Sequence, residues 1–205
     1  YSISRLDFIF NSISKRVFDI FFSGLIIITV LSWLTPLVAL IIRLDSKGSP
    51  FFTQRRPGLN GKLFDCFKFR SMAYNSQTET SASRNDIRVT SVGKFIRKTS
   101  IDELPQFFNV FIGQMSVVGP RPNLISQNNH YNKIFKTYYR RAYVKPGITG
   151  LAQVSGARGG IDNDIDMKHR VKYDIFYIRN WNFALDIKIM IRTIYNILRG
   201  EEKAY

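Results

Sequence analysis

The sequence predicts an α+β fold that is mostly helical, with an apolar membrane segment and a small antiparallel sheet. Three observations support this class. An uncharged run covers residues 20–42, aromatic-rich segments flank turn residues between 51 and 72, and helical periodicity recurs after residue 90. The chain therefore divides into an N-terminal membrane segment, residues 1–45, and a globular domain, residues 46–205.

The uncharged run is longer than the roughly 18 residues that indicate a transmembrane helix. Pro36 removes one backbone hydrogen bond inside it, so we expect a break near Thr35–Pro36, where the Thr35 hydroxyl could bind a freed carbonyl. A spanning helix normally has basic residues mainly on one side, but here they flank both ends: Lys15, Arg16, Arg43 and Lys47. A kinked span, a re-entrant hairpin and a buried core helix all stay open.

The later elements are shorter. Pro57-Gly58 and Asn60-Gly61 lie between the aromatic-rich segments and predict a β-hairpin. Residues 74–90 are polar and predict a long loop, either a lid over a site or a connecting loop with no function of its own. Helices are expected near 91–98, 102–113, 124–141, 163–180 and 184–199. The last is amphipathic and either lies in the membrane interface or packs on the core.

The composition limits the possible functions. Hydrophobic residues make up 45% of the 205 positions, which excludes a wholly disordered tail. A single cysteine, Cys66, excludes an intrachain disulfide framework, and with only two histidines a multi-ligand zinc site is not expected. The formal net charge of +15 predicts an anionic partner: nucleic acid, an acidic membrane surface or a phosphate-bearing substrate.

Residues 97–106 contain the densest group of residues that could take part in catalysis. Asp102 and Glu103 stand side by side where a helix should begin. If Asp102 is the N-cap, Pro105 falls at the third helical position, where its missing N–H does no harm. If Ser100 is the N-cap and Glu103 its capping-box partner, Pro105 falls one turn too deep.

Capping alone is a sufficient role for Asp102. However, Arg97 and Lys98 precede the pair and Arg121 follows in a Gly-Pro-Arg-Pro turn. An acidic pair among cations also suits a carboxylate that attacks phosphorus while its neighbour binds Mg²⁺. Both interpretations stay open from spacing alone.

For other charged residues, a structural role explains the sequence at least as well as a functional role does. Asp19 is expected to pair with Lys15 or Arg16 or to cap a helix, and Asp174 and Asp186 could be surface acids on helices. Arg158 lies in a Gly-rich loop, where it could contact phosphate or solvent. The glycines of PGITG and GARGG do not follow a strand in dinucleotide-binding spacing, so a nucleotide-cradling role there is weakly indicated.

Several segments, taken in order, are similar to the bacterial sugar transferases, the polyprenyl-phosphate hexose-1-phosphate transferases. They are KRVFD before the apolar run, FFTQRRPGLNGKLFDCFKFRSM, RVTSVGKFIRKTSIDELPQFFNVFIGQMSVVGPRP, RAYVKPGITGLAQVSG and YDIFYIRNWNFALDIKIM. The resemblance covers nearly all of residues 15–205. GARGG and the closing AY resemble the branch that starts exopolysaccharide or colanic-acid-type repeat units. Members of that branch commonly carry further N-terminal helices, and with Tyr1 as the first residue we expect a longer protein.

The resemblance implies roles for individual residues. Asp102 would be the nucleophile that forms an aspartyl-phosphosugar, Glu103 would bind Mg²⁺, and Asp186 matches an active-site acid. Arginines that match or lie near phosphate-contacting positions are Arg97, Arg121 and Arg158, the last being the least direct match. Thr35-Pro36 matches the break of a re-entrant membrane hairpin, which favours that topology over a span.

The implied reaction transfers hexose 1-phosphate from UDP-glucose or UDP-galactose to undecaprenyl phosphate and releases UMP. The implied location is the cytoplasmic face of the bacterial inner membrane, with no nucleic-acid partner and with a homo-oligomer left open. Two alternatives come from the charge and the apolar run: a basic nucleic-acid-binding module, and a membrane-surface protein whose acidic pair only caps a helix. Within the enzymes, a phosphatase with the same aspartyl chemistry is conceivable.

Overall fold

A long N-terminal helix and a globular part make up the computed structural model, which describes residues 5–73, 86–157, 159 and 163–200. The helices are α1 (Arg5–Ile26), α2 (Ser32–Asp45), α3 (Ser91–Lys98), α4 (Gln106–Phe111), α5 (Ile125–Ile134), α6 (Leu151–Val154), α7 (Asp164–Arg179) and α8 (Phe183–Arg199). The strands are β1 (Phe51–Pro57), β2 (Leu63–Phe69), β3 (Ser116–Val118) and β4 (Gly147–Thr149). The predicted mostly helical α+β class is confirmed.

The N-terminal helix continues through the proline at which the sequence predicts a break. α2 contains Pro36, and the irregular turn lies earlier, where Ile27–Leu31 forms a π-helical segment. Proline crowds the carbonyl four residues before it, and wider turns are one way in which a helix accommodates such a distortion. The Thr35 hydroxyl has no hydrogen-bond partner among the described residues, contrary to expectation. The distortion therefore precedes the proline, and the re-entrant hairpin stays a prediction.

By length and composition, Ser12–Asp45 could cross a membrane, and it is the one such helix in the described part of the chain. Only 17% of its most apolar window is buried within the protein, whereas a core helix would be mostly covered. The buried-core interpretation is therefore wrong. Its exposed apolar side chains include Phe21, Leu25, Ile28, Trp33, Leu37 and Leu40.

Both halves of this helix pack against the globular part. In α1, Asp19 accepts hydrogen bonds from the Ser116 hydroxyl at 3.0 Å and from the Val117 N–H at 2.9 Å. In α2, Ile42 is buried in an apolar cluster with Phe69 of β2. One face of the helix is thus attached to the globular part from residue 19 to residue 42, while the other face exposes apolar groups.

The predicted β-hairpin is confirmed. β1 and β2 pair antiparallel, from Phe51 opposite Phe69 to Pro57 opposite Leu63. Asn60 in the connection has φ 53°, a left-handed conformation that Asn tolerates better than most residues.

The later helices agree with prediction in three places and differ in two. α3, α7 and α8 lie within one residue of the expected ranges. The predicted helix 102–113 begins instead as a 3-10 turn before α4, and the predicted helix 124–141 stops at α5 and gives way to a 3-10 segment, Tyr138–Tyr143. The parallel pair β3–β4 was not predicted, because strands of three residues carry too little pattern. Most of the predicted loop, residues 74–85, lies outside the described residues.

The main core lies where the N-terminal helix meets α4, β3 and α8. Its most buried members, each at most 2% exposed, are Leu31, Cys66, Val110, Met115, Val118, Tyr177 and Ile189. Burial of each Leu, Val, Met or Ile side chain among them contributes roughly 1.5–3 kcal/mol to folding. This core fixes β3, which leads directly to Arg121.

Candidate active site

Asp102 and Glu103 lie in a tight turn and not at the start of a regular helix. Ile101–Glu103 forms a 3-10 turn, and α4 begins after Pro105. No side-chain cap is made by Ser100 before the turn or at the start of α4, so both predicted capping registers are wrong. Ser100 has φ 59°, a strained left-handed conformation for serine, and such strain is concentrated at functional sites.

The turn is held in place through α4. The buried Asn109 side chain accepts a hydrogen bond from the Phe67 N–H at 2.9 Å and donates one to the Asp65 carbonyl at 2.7 Å. These bonds attach α4 to β2. The carboxylates that precede α4 are therefore fixed relative to Lys68, which lies on β2.

Two cations hold Glu103. Its Oε1 accepts hydrogen bonds from Lys68 Nζ at 2.8 Å and from Arg121 Nη2 at 2.5 Å, and its Oε2 accepts one from Arg121 Nη1 at 3.0 Å. Burial opposes the charge on Glu103, but the charges of Arg121 and Lys68 outweigh it and hold its pKa well below the ordinary value. Glu103 is therefore ionised at neutral pH. Arg121 was a candidate from the sequence, whereas Lys68, which lies 35 residues from Glu103, was not.

Asp102 has a different environment from its neighbour. It is 8% exposed, and its carboxylate accepts no hydrogen bond from the described residues. Burial, and then the charge of Glu103, raise its pKa to about 6, while the charges of Lys68, Arg97 and Arg121 limit the rise. Above pH 7 Asp102 is thus an ionised carboxylate with little solvation, a condition that suits a nucleophile.

Two glycines set the backbone that precedes Arg121. A Cβ on Gly119 would lie 2.5 Å from the Lys145 carbonyl oxygen, and one on Gly147 would lie 2.1 Å from the Gly119 nitrogen. No side chain fits at either position, so only glycine allows β3 and β4 to approach so closely. The Gly147 of PGITG therefore serves backbone packing.

A buried ion pair lies behind Arg121. Arg141 donates from Nη2 to the Arg121 carbonyl at 2.7 Å and from Nε to Asp174 Oδ2 at 2.7 Å. Asp174 is 1% exposed, so the expectation of a surface acid is wrong. Arg141 was not predicted from the sequence, because its partner lies 33 positions away and no local pattern marks the pair.

Asp186 belongs to a separate buried network between α1 and α8. Its carboxylate accepts hydrogen bonds from Lys15 Nζ at 2.5 Å, from the Tyr177 hydroxyl at 2.8 Å and from Trp181 Nε1 at 3.0 Å. The Tyr177 hydroxyl also lies 3.1 Å from the Val118 carbonyl oxygen. The network thus reaches the strand that leads to Arg121 and makes no hydrogen bond to the Asp102–Glu103 pair among the described residues. An active-site role for Asp186 stays a prediction.

The remaining candidates lie at other places. Asp19 binds Ser116 and Val117, as described above, and forms no ion pair with Lys15 or Arg16 within the described residues. Arg16 instead donates to the carbonyls that end α4, Val110 at 2.6 Å and Phe111 at 2.7 Å. Arg158 lies outside the described residues.

The acidic pair has carboxylate oxygens that could bind a Mg²⁺ ion. Among the described residues, no group of three or more His, Cys, Asp or Glu side chains could form an all-protein metal site. Mg²⁺ commonly takes one or two carboxylates and completes its ligands with phosphate oxygens and water. Glu103 Oε2 accepts a single hydrogen bond, and the neighbouring Asp102 accepts none from the described residues, so oxygen ligands are available.

Comparison with known proteins decides the family. A family profile described as bacterial sugar transferase matches residues 10–200. The chain belongs to this family.

The sugar transferase relatives are similar over most of this chain but are longer. The chain is 49% identical over 187 residues to the UDP-glucose:undecaprenyl-phosphate glucose-1-phosphate transferase of Klebsiella pneumoniae, covering 90% of this chain and 40% of that protein. It is 48% identical over 171 residues to the protein of the same name from Xanthomonas campestris pv. campestris, covering 82% and 35%. It is 43% identical over 206 residues to the undecaprenyl-phosphate galactose phosphotransferase of Salmonella typhimurium, covering 91% and 41%. The chain thus spans at most 41% of the length of these relatives.

In this sugar transferase chain, the core-packing interpretation of the last helix is confirmed for its first half, and the membrane-interface interpretation stays a prediction. The first half of α8 packs on the core through Ile189, which is 1% exposed. The second half exposes Ile191, Ile194 and Leu198. This exposed apolar face, near Arg192 and Arg199, is compatible with a membrane interface.

Proposed function

We propose that this chain transfers hexose 1-phosphate from a UDP-sugar to undecaprenyl phosphate and releases UMP, through a phosphosugar bound covalently to Asp102. In this proposal the reaction starts the synthesis of exopolysaccharide, capsule or O-antigen repeat units at the cytoplasmic face of the inner membrane. The names of the relatives support this reaction type, and two of them specify glucose while the third specifies galactose.

One observation carries the proposal: two adjacent buried carboxylates have opposite environments. Glu103 is bound by Lys68 and Arg121, whereas Asp102 accepts no hydrogen bond from the described residues and has a raised pKa. A carboxylate that only caps or pairs would have its acceptors filled. The pattern suits one carboxylate that reacts and one that organises positive charge.

In the first step, an Asp102 oxygen forms a bond to the sugar-bearing phosphorus of the UDP-sugar. The bond from that phosphorus to the bridging oxygen breaks, and the electron pair leaves with UMP. Arg121 and Lys68, both bound to Glu103, would offset negative charge that develops on the reacting phosphate. A Mg²⁺ ion bound at Glu103 would add further neutralisation of phosphate charge.

In the second step, a phosphate oxygen of undecaprenyl phosphate attacks the same phosphorus. The bond from phosphorus to Asp102 breaks, which restores the carboxylate and gives the lipid diphosphate sugar. One phosphoanhydride is broken and another is made in the complete reaction. We therefore expect the overall equilibrium to be close to balanced.

The N-terminal helix supports a location of this chemistry at the membrane. Its inner face is attached to the globular part at Asp19 and at Ile42, and its outer face exposes apolar side chains. In a straight transmembrane helix, Asp19 and Ile42 would lie near opposite faces of the membrane, and the globular part could not contact both. We propose instead that both ends of the apolar run stay on one face, with the globular part held at headgroup depth.

UMP release tests the proposal. Wild type, Asp102→Asn and the control Asp65→Asn are given UDP-glucose or UDP-galactose with Mg²⁺, with and without undecaprenyl phosphate. Asp65 is an exposed acid on β2 that is paired only loosely with Arg55, at 3.8 Å. We expect sustained UMP release that requires the acceptor in wild type and Asp65→Asn, and none in Asp102→Asn. Equal turnover by Asp102→Asn would contradict the proposal.

A further inference from the structure

A third guanidinium, that of Arg170, is near enough to Arg121 and Arg141 to feel their charges. Arg170, on α7, is 6% exposed and donates from Nη2 to the Gly159 carbonyl at 3.0 Å. This is one hydrogen bond for a side chain with five N–H donors. Within the described residues, Arg170 forms no ion pair, since Asp174 pairs with Arg141 and Glu103 pairs with Arg121 and Lys68.

The surroundings of Arg170 are too positive for a buried cation. Burial, and then the charges of Arg121 and Arg141, lower its pKa to about 10, and Asp174 offsets this only in part. A buried charge without a partner is strongly unfavourable, so such a group is expected to meet an anion in the working protein. Arg141 differs, because its Nε is bound to Asp174 and its two Nη atoms to Tyr138 and the Arg121 carbonyl.

We propose that Arg170 and Arg121 together bind a phosphate monoester group of the substrates. Arg121 uses two of its N–H groups on Glu103, which leaves others for an anion. Guanidinium groups suit phosphate because their planar donors match its oxygens. This inference rests on the proposed function, which offers two such groups: the phosphate of UMP and the phosphate of the polyprenyl acceptor.

Direct binding separates this role from a structural one. Arg170→Gln removes the charge and leaves a shorter polar side chain, and Arg170→Lys keeps the charge. Lys172→Gln removes a charge from the exposed face of the same helix and is the matched control. Each protein in detergent micelles is titrated with UMP by calorimetry, without UDP-sugar. Each is also titrated in nanodiscs with undecaprenyl phosphate.

We expect Arg170→Gln to bind UMP, undecaprenyl phosphate, or both about 10–100-fold more weakly than wild type, because a charge-assisted hydrogen bond to phosphate is lost. Arg170→Lys should recover most of the lost affinity, and Lys172→Gln should match wild type. The ligand that loses affinity identifies which phosphate occupies the site. A role limited to the hydrogen bond with Gly159 predicts instead that folded Arg170→Gln binds both ligands as tightly as wild type does.

Equal affinity of Arg170→Gln and Lys172→Gln for both ligands overturns the inference. Equal weakening by these two variants overturns it too, because that result shows only a general charge effect. Failure of the proposed function is distinguishable, since it appears as wild-type protein that releases no UMP from any UDP-sugar. The binding titrations are read without turnover.

Discussion

Asp102→Asn should abolish activity and at the same time stabilise the protein at alkaline pH. The pKa of Asp102 rises from 3.8 to about 6 on folding, so the folded protein binds this proton more tightly than the unfolded chain. For an acid with a raised pKa, stability is greatest below the unfolded pKa and falls as pH increases through the folded pKa. At about 1.4 kcal/mol for each pH unit between the two values, ionised Asp102 lowers the free energy of unfolding by ~3 kcal/mol above pH 7.

Asn is close in shape and carries no charge, so the variant should regain much of this energy. Thermal unfolding in detergent with EDTA, followed by tryptophan fluorescence at pH 8 and pH 5, measures the difference. From the two pKa values, we expect the advantage of Asp102→Asn to fall at pH 5 to about half its value at pH 8. The exposed control Asp65→Asn should change stability by less than about 0.5 kcal/mol at either pH. An Asp102→Asn protein that is less stable than wild type, or whose advantage is the same at both pH values, would refute this electrostatic explanation.

Three further predictions concern the supporting groups. Glu103→Gln should lower the pKa of Asp102 below 6, because a like charge is lost while Lys68 and Arg121 remain. ¹³C NMR of labelled aspartate in metal-free buffer measures this pKa, and an unchanged titration would contradict the prediction. Arg141→Met should lower the free energy of unfolding by about 3–5 kcal/mol, since it leaves Asp174 buried without its partner. In the same unfolding assay, adding Asp174→Asn should restore part of this lost stability. Asp186→Asn should reduce stability and leave the KM for UDP-sugar nearly unchanged, because its hydrogen bonds go to Lys15, Tyr177 and Trp181; a large rise in KM with unchanged stability would instead indicate substrate contact.

The elements that the sequence predicted well are those with local signals. The hairpin has turn residues between alternating aromatic segments, and α7 and α8 begin with Asn caps whose side chains accept from the N–H groups of Asp166 and Leu185. The acidic pair was recognisable from its neighbours and from the resemblance to a known family. Its exact local structure was not, because a helix start and a 3-10 turn share the same residue preferences.

The contacts that organise the site are distant in sequence. Lys68 reaches Glu103 across 35 positions, Arg141 reaches Asp174 across 33, and Lys15 reaches Asp186 across 171. A single basic or acidic residue on a helix or strand gives no sign of such a partner. The close approach of β3 and β4 was equally hidden, since its evidence lay in glycines whose spacing fits many turns.

Intact-protein mass spectrometry tests the central claim most directly. Wild-type protein is mixed with UDP-glucose or UDP-galactose and Mg²⁺ without acceptor, quenched in acid and analysed with Asp102→Asn beside it. We predict an added mass of one hexose phosphate, located by peptide mapping to Asp102, which disappears when undecaprenyl phosphate is supplied. Lipid-linked sugar formed by a protein that never carries this adduct would contradict the account.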